Sequence, residues 1–409
     1  MDSQNKALAH AAPDRHAAMR PVIRVLLDAR KLGDGGIGVY IDNLIAGLSA
    51  RGDVRLTVIG KRAQVEQHAW SRGVDVIEDL AKPYSLDELF LMPRRLMTGK
   101  YDLFHAPHYT LPFGLKMPAV VTIHDLIHIN APEKFYYPYI AAPIVRSALR
   151  RARRVVVVSQ STLGAISQLV RGEARILSKL RVVPNAVAPI LVDLPYKPDY
   201  LRSRFHLESP YLLAVISMLK HHKGVEDLLQ AFARVKEQSV AMFKPPHEAP
   251  RGFRELKLVL VGKGTERLVE VEKLLRKAGS IPGVHILGNV AKSDLVHLYR
   301  QALALVVPSL AEGFCLPALE AKAVGLRIVA RPVPAVLEIL DRSDVICRDF
   351  SRDALVEGIL ALFRAGSQSL AETQVKSGPQ PEFWARFSVE AVAERTLSIY
   401  HEALLAEQQ

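Results

Sequence analysis

Two stretches of the chain hold residues whose types and spacing suit chemistry on a phosphate or a sugar. The first is Gly33-Asp34-Gly35-Gly36-Ile37-Gly38, between an apolar run and a helical pattern. A glycine turn before a helix N-terminus exposes backbone N–H groups, which suit an anion or a sugar hydroxyl. The second is Pro308-Ser309-Leu310-Ala311-Glu312-Gly313-Phe314-Cys315-Leu316-Pro317-Ala318-Leu319-Glu320. An apolar strand runs there into a turn, and a helix starts near Leu316 or Pro317, since proline suits a first helical turn. Glu312 falls in the turn and Glu320 on the helix. Two glutamates at this separation occur by chance in most chains; the strand–turn–helix setting gives this pair its weight.

Other candidates are weaker alone. Lys223 reads as an ordinary surface lysine, and His124 beside Asp125 as a polar strand end. His105 and His108 fit acceptor contact or packing; around Pro107 they lack the helical spacing of a metal site. Cys315 has no neighbouring base in sequence to make it a nucleophile. The glycine turn formally matches the dinucleotide fingerprint, but five residues, Asp28 to Leu32, intervene where it should follow the strand directly. The next strand ends Gly60-Lys61-Arg62, without the acid that holds a ribose. A dehydrogenase is therefore disfavoured.

These residues need a scaffold, and 409 residues suffice for two ordinary domains. Short apolar runs alternate with helical patterns. Val22–Asp28, Leu56–Gly60, Tyr101–His105, Ala119–His124, Val155–Ser159 and Arg181–Pro184 read as strands of a first parallel sheet. After a proline-containing linker, Ala188 to Pro198, the rhythm restarts with Tyr211–Ser217, Leu256–Gly262, Val284–Leu287, Leu303–Pro308 and Arg327–Ala330. Helical patterns such as Gly224–Val235 and Ala318–Val324 lie between strands, and Ala241–Gly252 reads as a surface loop. The expected organisation is a loose tail over 1–20, one α/β domain over 21–190 and a second over 200–382. A terminal helical stretch, 383–409, is a candidate to cross back to the first domain.

Hydrophobic residues make up 49% of the chain and charged residues 23%, the balance of a globular protein. Two cysteines, Cys315 and Cys347, point to a reducing compartment. No apolar run is long enough to span a membrane, and no signal peptide is evident, so a cytoplasmic location is expected. The net charge of +12 suits anionic partners. Arg146, Arg150, Arg151, Arg153 and Arg154 fit a solvated helix end, or contact with a membrane surface or anionic acceptor. Pro83 to Met97 mixes apolar residues with arginines and fits either a membrane surface or its own domain. No aromatic-interleaved basic motif supports nucleic acid.

The segment from Pro308 to Glu320 resembles the E-x7-E motif of glycosyltransferase family 4, whose members have the two-domain GT-B fold. Asp28-Ala29-Arg30 with Gly35 to Gly38 resembles the family's N-terminal glycine loop. His105-Ala106-Pro107-His108-Tyr109 and His124-Asp125-Leu126 resemble its acceptor-side motifs. Val183-Pro184-Asn185-Ala186 resembles the turn before its linker, and Lys220-His221-His222-Lys223-Gly224 its lysine motif. The resemblance implies a retaining transferase with two doubly wound Rossmann-like domains facing a cleft. It moves a hexose of mannose or glucose type from a GDP- or UDP-sugar to a glycan or lipid-linked acceptor, in surface or exopolysaccharide synthesis.

By the same resemblance Glu320 holds the donor ribose. Gly313, Phe314, Cys315 and Leu316, with Gly36, face the diphosphate or sugar. Lys223 meets the leaving diphosphate, Glu312 stabilises the transferred sugar, and His124 contacts it. Gly35, Gly36, His105, His108 and Tyr109 lie on the acceptor side. No D-x-D occurs in the sequence, so a metal-independent enzyme without cofactor is expected. Departures are Cys315 for a glycine, His221 for proline, Lys322 for methionine, and Arg331-Pro332 in a usually small, polar turn. The competing reading is a non-catalytic nucleotide-sugar-binding subunit that scaffolds a glycan-assembly complex.

Overall fold

The computed structural model describes residues 21–96, 100–208, 210–216, 220–242, 255–262, 273, 276, 281–364 and 379–405. The expected tail over 1–20 lies outside them, as does the loop Ala241–Gly252 beyond its first two residues, which end the helix Val225–Met242.

Two parallel sheets carry the chain. The first holds β1 (Ile23–Asp28), β2 (Val54–Gly60), β3 (Asp75–Glu78), β4 (Leu103–Ala106), β5 (Ala119–Ile123), β6 (Arg154–Val157) and β7 (Leu180–Val182). Their order is β3-β2-β1-β4-β5-β6-β7. The second holds β8 (Tyr211–Val215), β9 (Lys257–Val261), β10 (Val284–Gly288), β11 (Ala304–Val307), β12 (Ile328–Ala330) and β13 (Val345–Ile346), in the order β10-β9-β8-β11-β12-β13. Every strand pair is parallel.

The apolar runs are continuous because both faces of each sheet are covered. In β1, Val25 and Leu27 join one core cluster while Leu26 between them joins another. In β8, Tyr211 and Leu213 face one cluster, and Leu212 and Ala214 the other. This period of two is the strand's own geometry. The two edge strands absent from the sequence reading are the least apolar, Asp75–Glu78, and the shortest, Val345–Ile346.

The chain ends in two helices, Pro381–Phe387 and Val389–Leu405. The first packs Phe387 into the second domain's core. The second buries Val392, Ala393, Leu397 and Tyr400 beside Leu44 and Leu48 of the first domain. Backbone and ionic contacts fasten this crossing: Val187 N–H donates to Phe387 O at 2.8 Å, and Arg51 pairs with Glu394 at 2.5 Å.

Strand order reverses between β1 and β4 in the first sheet and between β8 and β11 in the second. Open α/β sheets bind ligands beyond the carboxyl ends of strands at such a point. The residues singled out above follow those ends, and those of the neighbouring β5.

Candidate active site

In the second domain, β8 leads to a short turn, His221–Lys223, closed by Gly224 in the left-handed region. A Cβ on residue 224 would stand 2.1 Å from Pro308 O, so only glycine fits. That contact joins the lysine turn to the end of β11. There Lys223 Nζ donates to both carboxylate oxygens of Glu312, at 2.8 and 2.9 Å, and Ser309 Oγ donates to Oε1 at 2.7 Å. Burial works against the lysine's charge, but Glu312 outweighs it and holds Lys223 above its ordinary range.

The turn then enters the helix Leu316–Ala323 through Cys315, at φ 79° and ψ 74°. This left-handed conformation favours glycine, which accounts for the family's usual residue at this position. The thiol is buried and pushed well up by that burial and by Glu312, so Cys315 is a neutral filler and no nucleophile. The groups acting on it include Glu312, Lys223 and Glu320, which gathers all three about one turn. Glu320 Oε2 accepts from Tyr299 Oη at 2.8 Å. Burial raises Glu320 to about 7, opposed by that hydrogen bond.

The first domain closes over this turn. Gly313 lies so near the end of β5 that a Cβ would meet His124 O at 2.0 Å. Ser159 Oγ donates to Gly313 O at 2.7 Å and caps the helix Gln160–Leu169 by accepting from Thr162 N–H. Glu338 accepts from Gln160 N–H and Ser161 N–H at 3.0 and 2.9 Å, placing its charge at that helix's positive end. Lys292–Asp42, at 2.7 Å, and Lys220–Glu133, at 3.3 Å, also cross the boundary. Gly36 reaches Leu316, whose Cδ1 would stand 3.5 Å from an added Cβ. Asp125, Asn130, Ala131, Thr162, Glu312 and Gly313 line part of a cavity of about 180 Å³ between the domains.

Gly313→Ala is therefore expected to hold the domains apart while each still folds. Small-angle scattering reads this as a larger radius of gyration, with far-ultraviolet circular dichroism unchanged; an unchanged radius contradicts the close packing.

Three acceptor-side expectations need correction or refinement. His105 is fully buried, with Nδ1 on Tyr400 Oη at 2.7 Å and Nε2 on Thr122 Oγ1 at 2.8 Å. It ties the last helix to β5 and faces no acceptor. His108 is also in the core, its Nε2 at 3.1 Å from Asp28 Oδ2 and its Nδ1 beside Thr110. Tyr109 is partly exposed, its ring centroid 5.2 Å from that of Tyr84. His124 places Nε2 at 2.9 Å from Pro107 O, so this nitrogen carries the hydrogen. Burial lowers His124 to about 4, leaving a neutral ring at physiological pH. Phe314 turns its side chain into the second domain's core, leaving its backbone to the site.

Asp28, Glu88 and His108 bring their ligand atoms within 4.8 Å of one another, the one such group among the described residues. The space between the carboxylates is taken by Arg30, whose Nη2 lies 2.5 Å from Asp28 Oδ2 and 2.8 Å from Glu88 Oε1. A protein cation fills the position a metal would need.

The basic run on the first domain is largely spent within the fold. Arg146 donates to Leu169 O, Arg151 to Pro112 O, Arg150 pairs with Glu173, and Arg154 with Glu402. Pro83 to Leu96 divides its side chains: Met92 and Leu96 are core, whereas Leu86, Phe90 and Leu91 are exposed. Met97 lies outside the described residues. No helix among them is long and apolar enough to cross a membrane. Ser309, Tyr299, Ser159 and Glu338 were not singled out in the sequence. Ser309 adjoins Glu312 in the motif, but the others carry no motif signal.

Comparison with known proteins agrees with this architecture. The family described as Glycosyltransferase Family 4 matches residues 34–189, and Glycosyl transferases group 1 matches 197–378. The two matches together take in most of the chain, and the chain belongs to the family 4 glycosyltransferases of the GT-B fold. It is similar to O-antigen chain mannosyltransferase B of Escherichia coli, 26% identical over 66% of this chain and 68% of that one. It is 28% identical to MMP alpha-(1->4)-mannosyltransferase of Mycolicibacterium hassiacum, over 75% and 72% of the two chains. The structure of Anabaena HepE in complex with UDP and glucose superposes with a TM-score of 0.69 at 18% identity, covering 92% and 98%.

Proposed function

We propose that this glycosyltransferase is a retaining hexosyltransferase. It moves a mannose- or glucose-type sugar from a GDP- or UDP-sugar to a glycan or lipid-linked acceptor, in surface or exopolysaccharide synthesis at the inner face of a membrane. The observation that carries the reading is the Lys223–Glu312 pair at the domain boundary, with Glu320 on the helix that follows. The mannosyltransferase relatives and the UDP-bound neighbour support it.

Glu320 accepts hydrogen bonds from the donor ribose. Lys223 has three N–H donors, two of them on Glu312, and meets the diphosphate with the third. As the glycosidic bond breaks, negative charge grows on the leaving phosphate beside Lys223 and the N–H groups of the turn before Leu316. Positive charge grows on the sugar, which Glu312 offsets. The departing phosphate oxygen takes the acceptor proton, so attack comes from the same face. His124, being neutral, offers hydrogen bonds and no charge. Lys223 supplies the cation, so no metal is required.

The test is a thermal-shift panel of GDP- and UDP-sugars, followed by release of nucleoside diphosphate from the best binder. The reading expects one sugar nucleotide to raise the melting temperature and to be turned over; binding without turnover would favour a scaffold subunit. Nucleotide affinity should rise with pH through about 7, because only the ionised Glu320 accepts both ribose hydroxyls. Apo stability moves the other way. The folded state keeps its proton to higher pH than the unfolded chain, so this group's contribution falls between the ordinary carboxyl range and about 7, then levels off. Glu320→Gln should abolish both pH trends, as read by isothermal titration and thermal melts.

A further inference from the structure

Beyond the reaction centre, one short stretch of the first domain carries rings that its own core leaves uncovered, Phe135 and Tyr136 meeting edge to face with centroids 5.6 Å apart. Phe135 is 85% exposed, Tyr139 78% and Ile140 57%, and Tyr136 is partly exposed beside them. Exposed apolar side chains gathered in one place mark a contact surface. These follow directly on the wall of the cleft: Asn130 and Ala131 line the same cavity as Glu312, and Glu133 pairs with Lys220 across the domain boundary. Phe135 lies four positions beyond Ala131, so its Cα stands within about 14 Å of the cavity wall at Ala131. That is the reach of a short oligosaccharide.

We infer that Phe135, Tyr136 and Tyr139 form a stacking platform for an acceptor that is itself a glycan chain, holding sugars behind the one that receives the new residue. The inference rests on the transferase reading above and deepens it. The C–H face of a pyranose is apolar and flat, and lies on an aromatic ring; its hydroxyls point outward to water and to neighbouring phenols. Two of the three rings are tyrosines, which have an apolar body and a polar tip. Glu133 is paired with Lys220 across the domain boundary, and Lys134, exposed beside the rings, sits over Tyr136 and Tyr137 at 5.7 and 5.9 Å. Lys134 is the one lysine or arginine between residues 127 and 145, short of the cluster of about four or more that binds an anionic membrane. The rings' continuity with the cavity wall puts them instead on the path of a bound acceptor chain.

The experiment compares the full-length protein with the double variant Phe135→Ala/Tyr139→Ala. Linear α-mannose and α-glucose oligomers of increasing length serve as acceptors. Release of nucleoside diphosphate without acceptor is measured in parallel, as is sedimentation with phosphatidylglycerol vesicles. In the native protein kcat/KM should rise with acceptor length. In the double variant it should fall by about tenfold on the longer oligomers and lose its length dependence. Acceptor-free donor hydrolysis should not change, and Phe135→Tyr should retain the length dependence. A double variant that keeps the length series, or a native protein that shows none, overturns the platform. Loss of vesicle binding with an unchanged length series assigns the rings to lipid and overturns it too. Absence of donor hydrolysis in the native protein would instead remove the transferase reading, and the platform with it.

Discussion

Replacing Lys223 by methionine is expected to lower turnover roughly a hundred- to a thousandfold, the usual effect of removing one fixed group that stabilises transition-state charge. The expectation follows from geometry. Lys223 is the cation bound to Glu312, both are largely shielded from solvent, and Ser309 donates to the same carboxylate at Oε1. In such a setting a charge is worth more than it is in water. Glu312→Gln keeps the shape but removes the negative charge and one of the two acceptors of Lys223, so it should lower kcat to a similar degree with little change in donor KM. If the two residues serve one transition state, Lys223→Met/Glu312→Gln should lose no more than the worse single variant. Initial rates of nucleoside diphosphate release check this; fully additive losses would mean that the residues act separately.

The second large effect concerns stability. Arg331 is fully buried, donating to Pro308 O at 2.9 Å and to Asp227 Oδ2 at 2.7 Å. Arg331→Met leaves Asp227 to Arg352 alone and Pro308 O without that donor. Asp227 is partly exposed and keeps Arg352, so the cost is that of the lost charged hydrogen bonds, about 2 kcal/mol. The melting temperature should fall by about 4 °C or more. Arg331 joins the end of β11 to the lysine turn, because its Nη1 would stand 3.1 Å from a Cβ on residue 224. Turnover below the melting transition should therefore drop as well. A variant that melts with the native protein would show that the pair contributes nothing net.

Arg331 also shows where sequence reading stops. In the chain it is a departure from a usually small, polar turn, with no visible reason. In the fold it braces the strand end that leads into the Glu312 turn. Lys322 is similar: it stands where methionine is frequent, and the structure gives it Asp344 at 3.0 Å and Asp341 at 2.6 Å, tying the helix after the site to the turn before β13. Both of these departures are matched by partners distant in sequence, which one sequence cannot reveal.

The fold itself was legible because parallel strands covered on both faces must be continuously apolar. The runs around Val25 and Leu212 announced themselves, whereas Asp75–Glu78 at a sheet edge did not. The strand–turn–helix context singled out Glu312 and Glu320, and a motif singled out Lys223; the fold gathers the three about the turn at Cys315. His105 and His108 could be read either way from the sequence, for a physical reason. A histidine at a strand end reads the same whether it faces the cleft or the core, and the partners that hold it there, Tyr400 and Asp28, lie far away along the chain. The clamp of Ser159 on Gly313 O and of Glu338 on the helix Gln160–Leu169 joins two domains, and no local pattern encodes it.

The central claim is tested most directly by a crystal structure with the nucleotide sugar that stabilises the protein most. The account predicts the ribose hydroxyls on Glu320, the diphosphate within hydrogen-bonding distance of Lys223, and the sugar against Glu312. A nucleotide bound elsewhere, with the Lys223–Glu312 pair intact and untouched, would contradict it.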